Sequence, residues 1–186
     1  MSGGPTGRPG APGGPPRPGA LRSVRGRAPQ RLLEEVRALD GVARVEARVQ
    51  TSLQLQVEGF NDPVSGRVLS LPDEGEPRLN RLFLRAGRLP DARRSNEVVV
   101  IGSFAEAHDL QPGDALGAII NGRWQPLNVV GIAESPEFVY VIPPGSMLPD
   151  YHRYAILWMA ERPLAAATET ISPVLLGFTI LSVMMV

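Results

Sequence analysis

With 186 residues, 43% of them hydrophobic, the chain has room for one domain of ordinary size with tails, and its 20 Gly and 19 Pro are high counts. It has no cysteine, which excludes disulfides, thiolate metal sites and cysteine nucleophiles, and which suits an extracytoplasmic domain. The formal net charge is zero, but residues 1–28 carry five Arg and no acid, leaving 14 Arg against 19 Asp and Glu in the remainder.

Residues 1–28 concentrate Gly, Pro and Arg and have almost no apolar side chains. Such a segment cannot bury enough surface to offset its chain entropy, so a disordered tail is expected. It lacks the apolar stretch of a signal peptide. Every cation in the chain is Arg, without aromatic interleaving or a recognisable binding fold, so no nucleic-acid partner is expected.

Pro29, then "QRLLEEVRAL", then Asp40-Gly41 predicts a helix with Pro at its start and Gly just past its end. Leu32, Leu33, Val36 and Leu39 form its apolar stripe. From Val45 to Val57 apolar and polar residues alternate, which predicts one long half-buried strand with a bend near Thr51. "GFNDPVSG" (59–66) reads as a turn and "RVLSLP" as the return strand, with the helix covering the apolar face of this sheet. "PRLNRLFLRAGRLPDARRSNE" reads as a solvated connector with a few docked leucines.

"EVVVI" (97–101) is apolar enough to be buried on both faces. Ser103 and Glu106 suggest a capping box for the helix "FAEAHDL", and "QPGD" a tight turn after it. "ALGAII", Asn121-Gly122 and "RWQPLNVVGI" predict a two-residue hairpin in which Ile120 faces Arg123 and Ile119 faces Trp124. Pro126 belongs where the returning strand is at an edge or bulge. "EFVYVI" (137–142) and "YAILWM" (154–159) read as two further strands around the loop "PPGSMLPDYHR".

In a strand at 137–142, Phe138 and Tyr140 would share one face. If Val139 and Val141 point inward, the rings form an exposed partner surface with Glu134 and Glu137 at its rim. If the rings are core, the valines face outward. Alternation alone does not choose.

Little points to chemistry. His108 and His152 have no second histidine at metal-binding spacing and read as surface residues. Ser103, His108 and Asp114 invite a triad reading, but no nucleophile elbow accompanies them. No phosphate-binding glycine pattern occurs. The expectation is no catalytic residue, no metal and no cofactor.

The end of the chain differs in kind. "ISPVLLGFTILSVMMV" (171–186) has no charge, and sixteen helical residues span ~24 Å against a hydrocarbon core of ~30 Å. The pattern predicts a transmembrane helix cut short.

In order, "GRLP" (Gly87, Arg88, Pro90), "NEVVV" (Asn96–Val100), "FAEAHDLQPGD" (Phe104–Asp114) and "VVGIAESPE" (Val129–Glu137) resemble the extracytoplasmic core domain of ABC transporter permeases of the MacB and FtsX type. The likeness covers roughly residues 29–162. It implies an α+β domain with a long strand and covering helix plus a smaller β-rich subdomain, followed by a partial transmembrane helix. The implied organisation is a tail (1–28), a MacB-like core (29–162), and a linker with the truncated helix (163–186). The implied partners are a separate ABC ATPase subunit, a further permease copy, and membrane lipid through 171–186. The implied location is the inner membrane, with the domain on its extracytoplasmic side. A Gly/Pro/Arg tail stands where the family has a first membrane helix, which points to a fragmentary gene product. Two rivals remain: a soluble, mainly-β ligand- or protein-binding module, and a hydrolase using His108 or His152.

Overall fold

The structure, a computed structural model, describes residues 27–168 and 180–185. In chain order these form α1 (Arg27–Arg37), β1 (Val42–Arg48), β2 (Gln50–Val57), β3 (Phe60–Leu71), β4 (Phe83–Gly87), β5 (Glu97–Ile101), α2 (Gly102–Ala107), β6 (Ala115–Ile120), β7 (Arg123–Glu134), β8 (Tyr154–Ala160), α3 (Glu161–Thr168) and β9 (Ile180–Met185). Residues 1–26 of the expected disordered tail lie outside the described residues.

The expected long strand is two strands. Alternation holds through the buried Leu53, Leu55 and Val57, but the chain breaks at Val49 and hands its two halves to different sheets. β1 pairs with β9, and α1 packs on β1 rather than over the larger sheet, leaving Leu32 and Leu39 exposed. Arg48, an even position, is buried, so the one-face pattern does not run through the break. The Val49 amide instead donates to Ser70 Oγ at 2.8 Å, while its carbonyl accepts from the Ser70 amide.

β2 turns back at Glu58-Gly59, so the segment read as a turn at 59–66 is mostly the first half of β3. Its Pro63 is tolerated because β8 joins β3 only from Ser65 onward and the β2 register is irregular there. The Asn121-Gly122 hairpin is as expected: φ is +52° and +76° at the two turn residues, with Ile120 opposite Arg123 and Ile119 opposite Trp124. Pro126 lies in the part of β7 that has not yet met β5.

Six strands form a closed ladder in the order β7-β5-β8-β3-β2-β6, with β6 pairing back to β7, and β4 continues the β6 side of β7. The β3–β8 and β5–β7 pairs are parallel and the rest antiparallel. Closure removes the free edges on which strands aggregate. It also joins β2 and β3 to β5–β8 in one sheet, so the long strand and the β-rich portion are not separate subdomains. The fold is mixed α and β, mostly strand.

β5 and β8 are buried along their whole length, as their unbroken apolar runs require. Trp158, Phe104, Leu69, Leu116 and Leu157 are among the largest enclosed side chains. α2 and α3 contact these strands. α3 crosses the expected boundary at residue 162 and buries Leu164 completely, so 163–168 belong to the folded body rather than to a linker.

Two further expectations change. β5 runs straight into α2, so Ile101 occupies the cap position and Ser103 lies inside the helix, its Oγ buried without a hydrogen-bond partner. At the end of the chain, Ile180–Met185 is a strand, not helix, antiparallel to β1. β1 is otherwise an open ribbon, and pairing satisfies the backbone groups on one of its sides. Residues 171–179 and 186 lie outside the described residues. No helix among the described residues is long and apolar enough to cross a membrane.

Candidate functional site

The motif positions converge at one junction on β7. On one edge of this strand β6 gives way to β4 between Val129 and Val130. The Val129 amide donates to the Asp114 carbonyl and its carbonyl accepts from Gly113, both at 2.8 Å, while the Val130 carbonyl accepts from Arg88 at 2.9 Å. On the other edge Asn128 donates to the Asn96 carbonyl at 2.6 Å. A Cβ on Gly87 would run into the Val130 carbonyl and the Gly131 Cα, and one on Gly131 into the Arg88 carbonyl. Only glycine lets these backbones approach so closely.

An ion pair locks the junction. Arg88 Nη1 and Nη2 reach the two oxygens of Glu97 at 2.7 and 2.5 Å, and the Asp91 amide adds a bond at 3.0 Å. Glu97 is 2% exposed, while Arg88 reaches in from a half-exposed position. Hydrogen bonding to the Arg88 guanidinium is the main cause that holds the Glu97 carboxyl below its usual range, against the opposing effect of burial. "GRLP", "NEVVV", "LQPGD" and "VVGIA" are thus parts of one architectural clasp, built from fixed groups already bonded to each other.

The exposed feature is the loop between β7 and β8. The expected strand at 137–142 does not form. After Pro136, Ser135 Oγ accepts from the Glu137 amide and the Ser135 carbonyl from the Phe138 amide, at 3.2 and 3.1 Å, which makes a turn there. Glu137 bonds Arg48 at 2.7 Å and Asn80 at 3.0 Å. Pro143 and Pro144 then remove two donors a ladder would need.

The four candidate surface residues therefore separate. Glu134 bonds Arg85, which also holds Glu106 at 2.5 Å; those two carboxylates raise the Arg85 pKa, Glu106 first. Phe138 is half-buried with its ring 6.1 Å from that of Trp158. Tyr140 is 71% exposed, and Val141, on the inward side, is buried. The residues that join Tyr140 outside are Val139 at 71%, Ile142 at 42%, Met147 at 93% and Leu148 at 74%. Sequence reading passed over Met147 and Leu148 because the Pro-rich stretch around them has no periodicity. Their signal was the lack of any charge from 138 to 149.

His108 and His152, read as separate surface residues, meet across 44 positions. His108 Nε2 lies 2.8 Å from the His152 carbonyl, and the rings are 5.5 Å apart. Phe60 and Phe104 flank His108 at 4.9 and 4.5 Å. Asp114 turns instead to the Gln111 amide, so the Ser103, His108 and Asp114 side chains form no hydrogen-bonded chain. Among the described residues no group of three His, Asp or Glu could hold a metal.

No protein-family model matches the sequence, and no curated protein is significantly similar to it. Solved structures are similar. The extracellular domain of a noncanonic ABC-type transporter, YknZ, from Gram-positive bacteria superposes with a TM-score of 0.49 at 16% identity, covering 82% of this chain and 70% of that one. The periplasmic region of MacB from Actinobacillus actinomycetemcomitans gives 0.43 at 18% identity over 82% of this chain. A domain of a putative permease from Porphyromonas gingivalis gives 0.42 at 13% identity over 79%. The chain spans 62% and 57% of the last two. The first is an extracellular domain of an ABC-type transporter, the second a periplasmic region of MacB, and the third a domain of a putative permease.

Proposed function

We propose that this chain is a non-enzymatic extracytoplasmic part of an ABC transporter permease. The observation that carries the reading is the ordered set of motifs from Gly87 to Glu137, most of which assemble around one strand junction as architecture rather than chemistry. A closed ladder locked in this way is stiff, and a stiff body suits a domain that moves as a unit with membrane segments and an ATPase on the other side. The partners are a separate ABC ATPase subunit and a further permease copy. The location is the inner membrane with the folded body outside.

The test is to express the tagged full chain in its own host, separate membrane from soluble protein, and purify it in mild detergent. An ABC ATPase recovered in stoichiometric amount from the membrane fraction supports the reading. Recovery of the chain from the soluble fraction without an ATPase overturns it. That second result would favour the rival soluble, mainly-β binding module, which is supported by the pairing of β9 with β1.

A further inference from the structure

β9 takes one edge of β1, and no strand among the described residues takes the other. Apart from the β9 ladder, no backbone hydrogen bond among the described residues involves 43–47. Those same five residues line a groove of about 650 Å³. Successive residues of a strand point to opposite faces, so a groove lined by five in a row follows the edge rather than either face. What this edge presents is a row of unpaired main-chain N–H and C=O groups.

Three guanidiniums stand around the groove. Arg37 comes from the last turn of α1, Arg44 from β1, and Arg78 from the segment between β3 and β4. All three residues are exposed, and none of these guanidiniums has an ion-pair or hydrogen-bond partner among the described residues. Two carboxylates share the lining, Glu46 and Glu161. Glu46 is already engaged, accepting from the Arg78 and Leu79 amides at 3.2 and 3.0 Å. Cations therefore outnumber anions, and the cations are the unsatisfied partners.

Each feature narrows the occupant. An open edge is completed by extended backbone, which alone matches its alternating donors and acceptors. Unpaired guanidiniums favour carboxylates and turn away basic segments. A bilayer fails the first requirement, because hydrocarbon leaves main-chain groups unsatisfied. A second copy joined edge to edge fails the other. Such a contact is isologous, so it would bring the same three guanidiniums to the seam from both sides.

We propose that the open edge of β1 takes up an extended acidic segment of a partner protein as a third strand of the β1–β9 ribbon, its carboxylates meeting Arg37, Arg44 and Arg78. The proposal goes beyond the permease reading and stands or falls apart from it.

The probe is a fluorescein-labelled decapeptide of alternating Val and Glu, titrated against the full chain and followed by anisotropy. Saturable binding that weakens with salt is expected, with slower amide exchange at 43–47 but not at the 121–122 turn. Arg37→Glu with Arg44→Glu, both exposed sites, should weaken binding about tenfold or more. Arg123→Glu, at an exposed position beside the hairpin turn, should leave it unchanged. The same peptide N-methylated at every amide keeps its carboxylates but cannot donate to the edge, and should not bind.

Equal binding of the N-methylated peptide would reduce the site to an anion patch and overturn the proposal. Equal binding of a Val-Lys peptide, unchanged affinity in the double variant, or no binding of the Val-Glu peptide overturns it too. So does concentration-dependent protection of 43–47 without peptide, which assigns the edge to a second copy. None of these outcomes touches the permease reading, which recovery of the ATPase tests separately.

Discussion

Arg48 and Glu137, 89 positions apart, meet at 2.7 Å with the Arg48 side chain only 4% exposed. This contact ties the small β1–β9 ribbon to the start of the β7–β8 loop. Glu137→Gln keeps the shape and removes the charge that faces a buried guanidinium. It should cost about 1.5–3 kcal/mol, the range for a hydrogen bond to a charged group, and loosen the loop. Urea unfolding measures the first effect and protease cleavage within 138–149 the second. Unchanged stability would show that Arg48 is held by its other surroundings.

Glu97 sets the acid limit of the clasp. Its folded-state pKa is depressed, chiefly by hydrogen bonding to Arg88, so its contribution is fully present above the ordinary carboxylate pKa of about 4.3. That contribution is lost as pH falls through the lower folded value. Glu97→Gln should flatten this acid-side loss and lower stability at neutral pH by roughly 1–3 kcal/mol, water around the half-exposed Arg88 moderating the effect. Stability followed from pH 7 to pH 2 in both proteins checks the slope.

Gly87 and Gly59 have nearly the same backbone angle, φ +75° and +76°, in opposite surroundings. A Cβ at Gly59 meets nothing within 4 Å. Gly59→Ala should therefore cost only the backbone strain of about 1–2 kcal/mol. Gly87→Ala adds collisions with β7 backbone that cannot move aside, and should cost at least about 2 kcal/mol more or prevent folding. Comparing their thermal midpoints separates conformation from space.

The two histidines should differ. His108 packs between Phe60 and Phe104, so His108→Ala leaves a gap and should cost about 1–3 kcal/mol. His152 is exposed and lends its backbone carbonyl to the contact, so His152→Ala should stay within about 0.5 kcal/mol. Denaturant midpoints decide between this ordering and two equally neutral changes. Loss of a hydrolytic activity in either variant would revive the hydrolase reading.

Leu164 tests where the folded body ends. Its side chain is fully enclosed, so Leu164→Ala should cost about 2–5 kcal/mol. A chain shortened to Arg162 should be less stable than one ending at Thr168. Equal stability of the two would return 163–168 to the linker.

Features governed by neighbouring residues were legible in the sequence. Asn121-Gly122 specifies its hairpin because both positions need positive φ, and Gln111–Asp114 closes its turn with its own side chain. The uniform run 97–101 announced burial on both faces, and 154–159 announced a strand, which is in fact buried throughout. The rest depended on partners remote in the chain. Alternation from Val45 to Val57 reports which face is apolar but not which strand lies alongside, so the break at Val49 and the two destinations were invisible. Closure of the ladder needs β8 beside β3 and β5 beside β7, parallel pairings that no local signal encodes. The same holds for residues 137–142. Their β-forming side chains favour a strand, but Glu137 is drawn to Arg48 and Phe138 toward Trp158, and the backbone follows those long-range contacts.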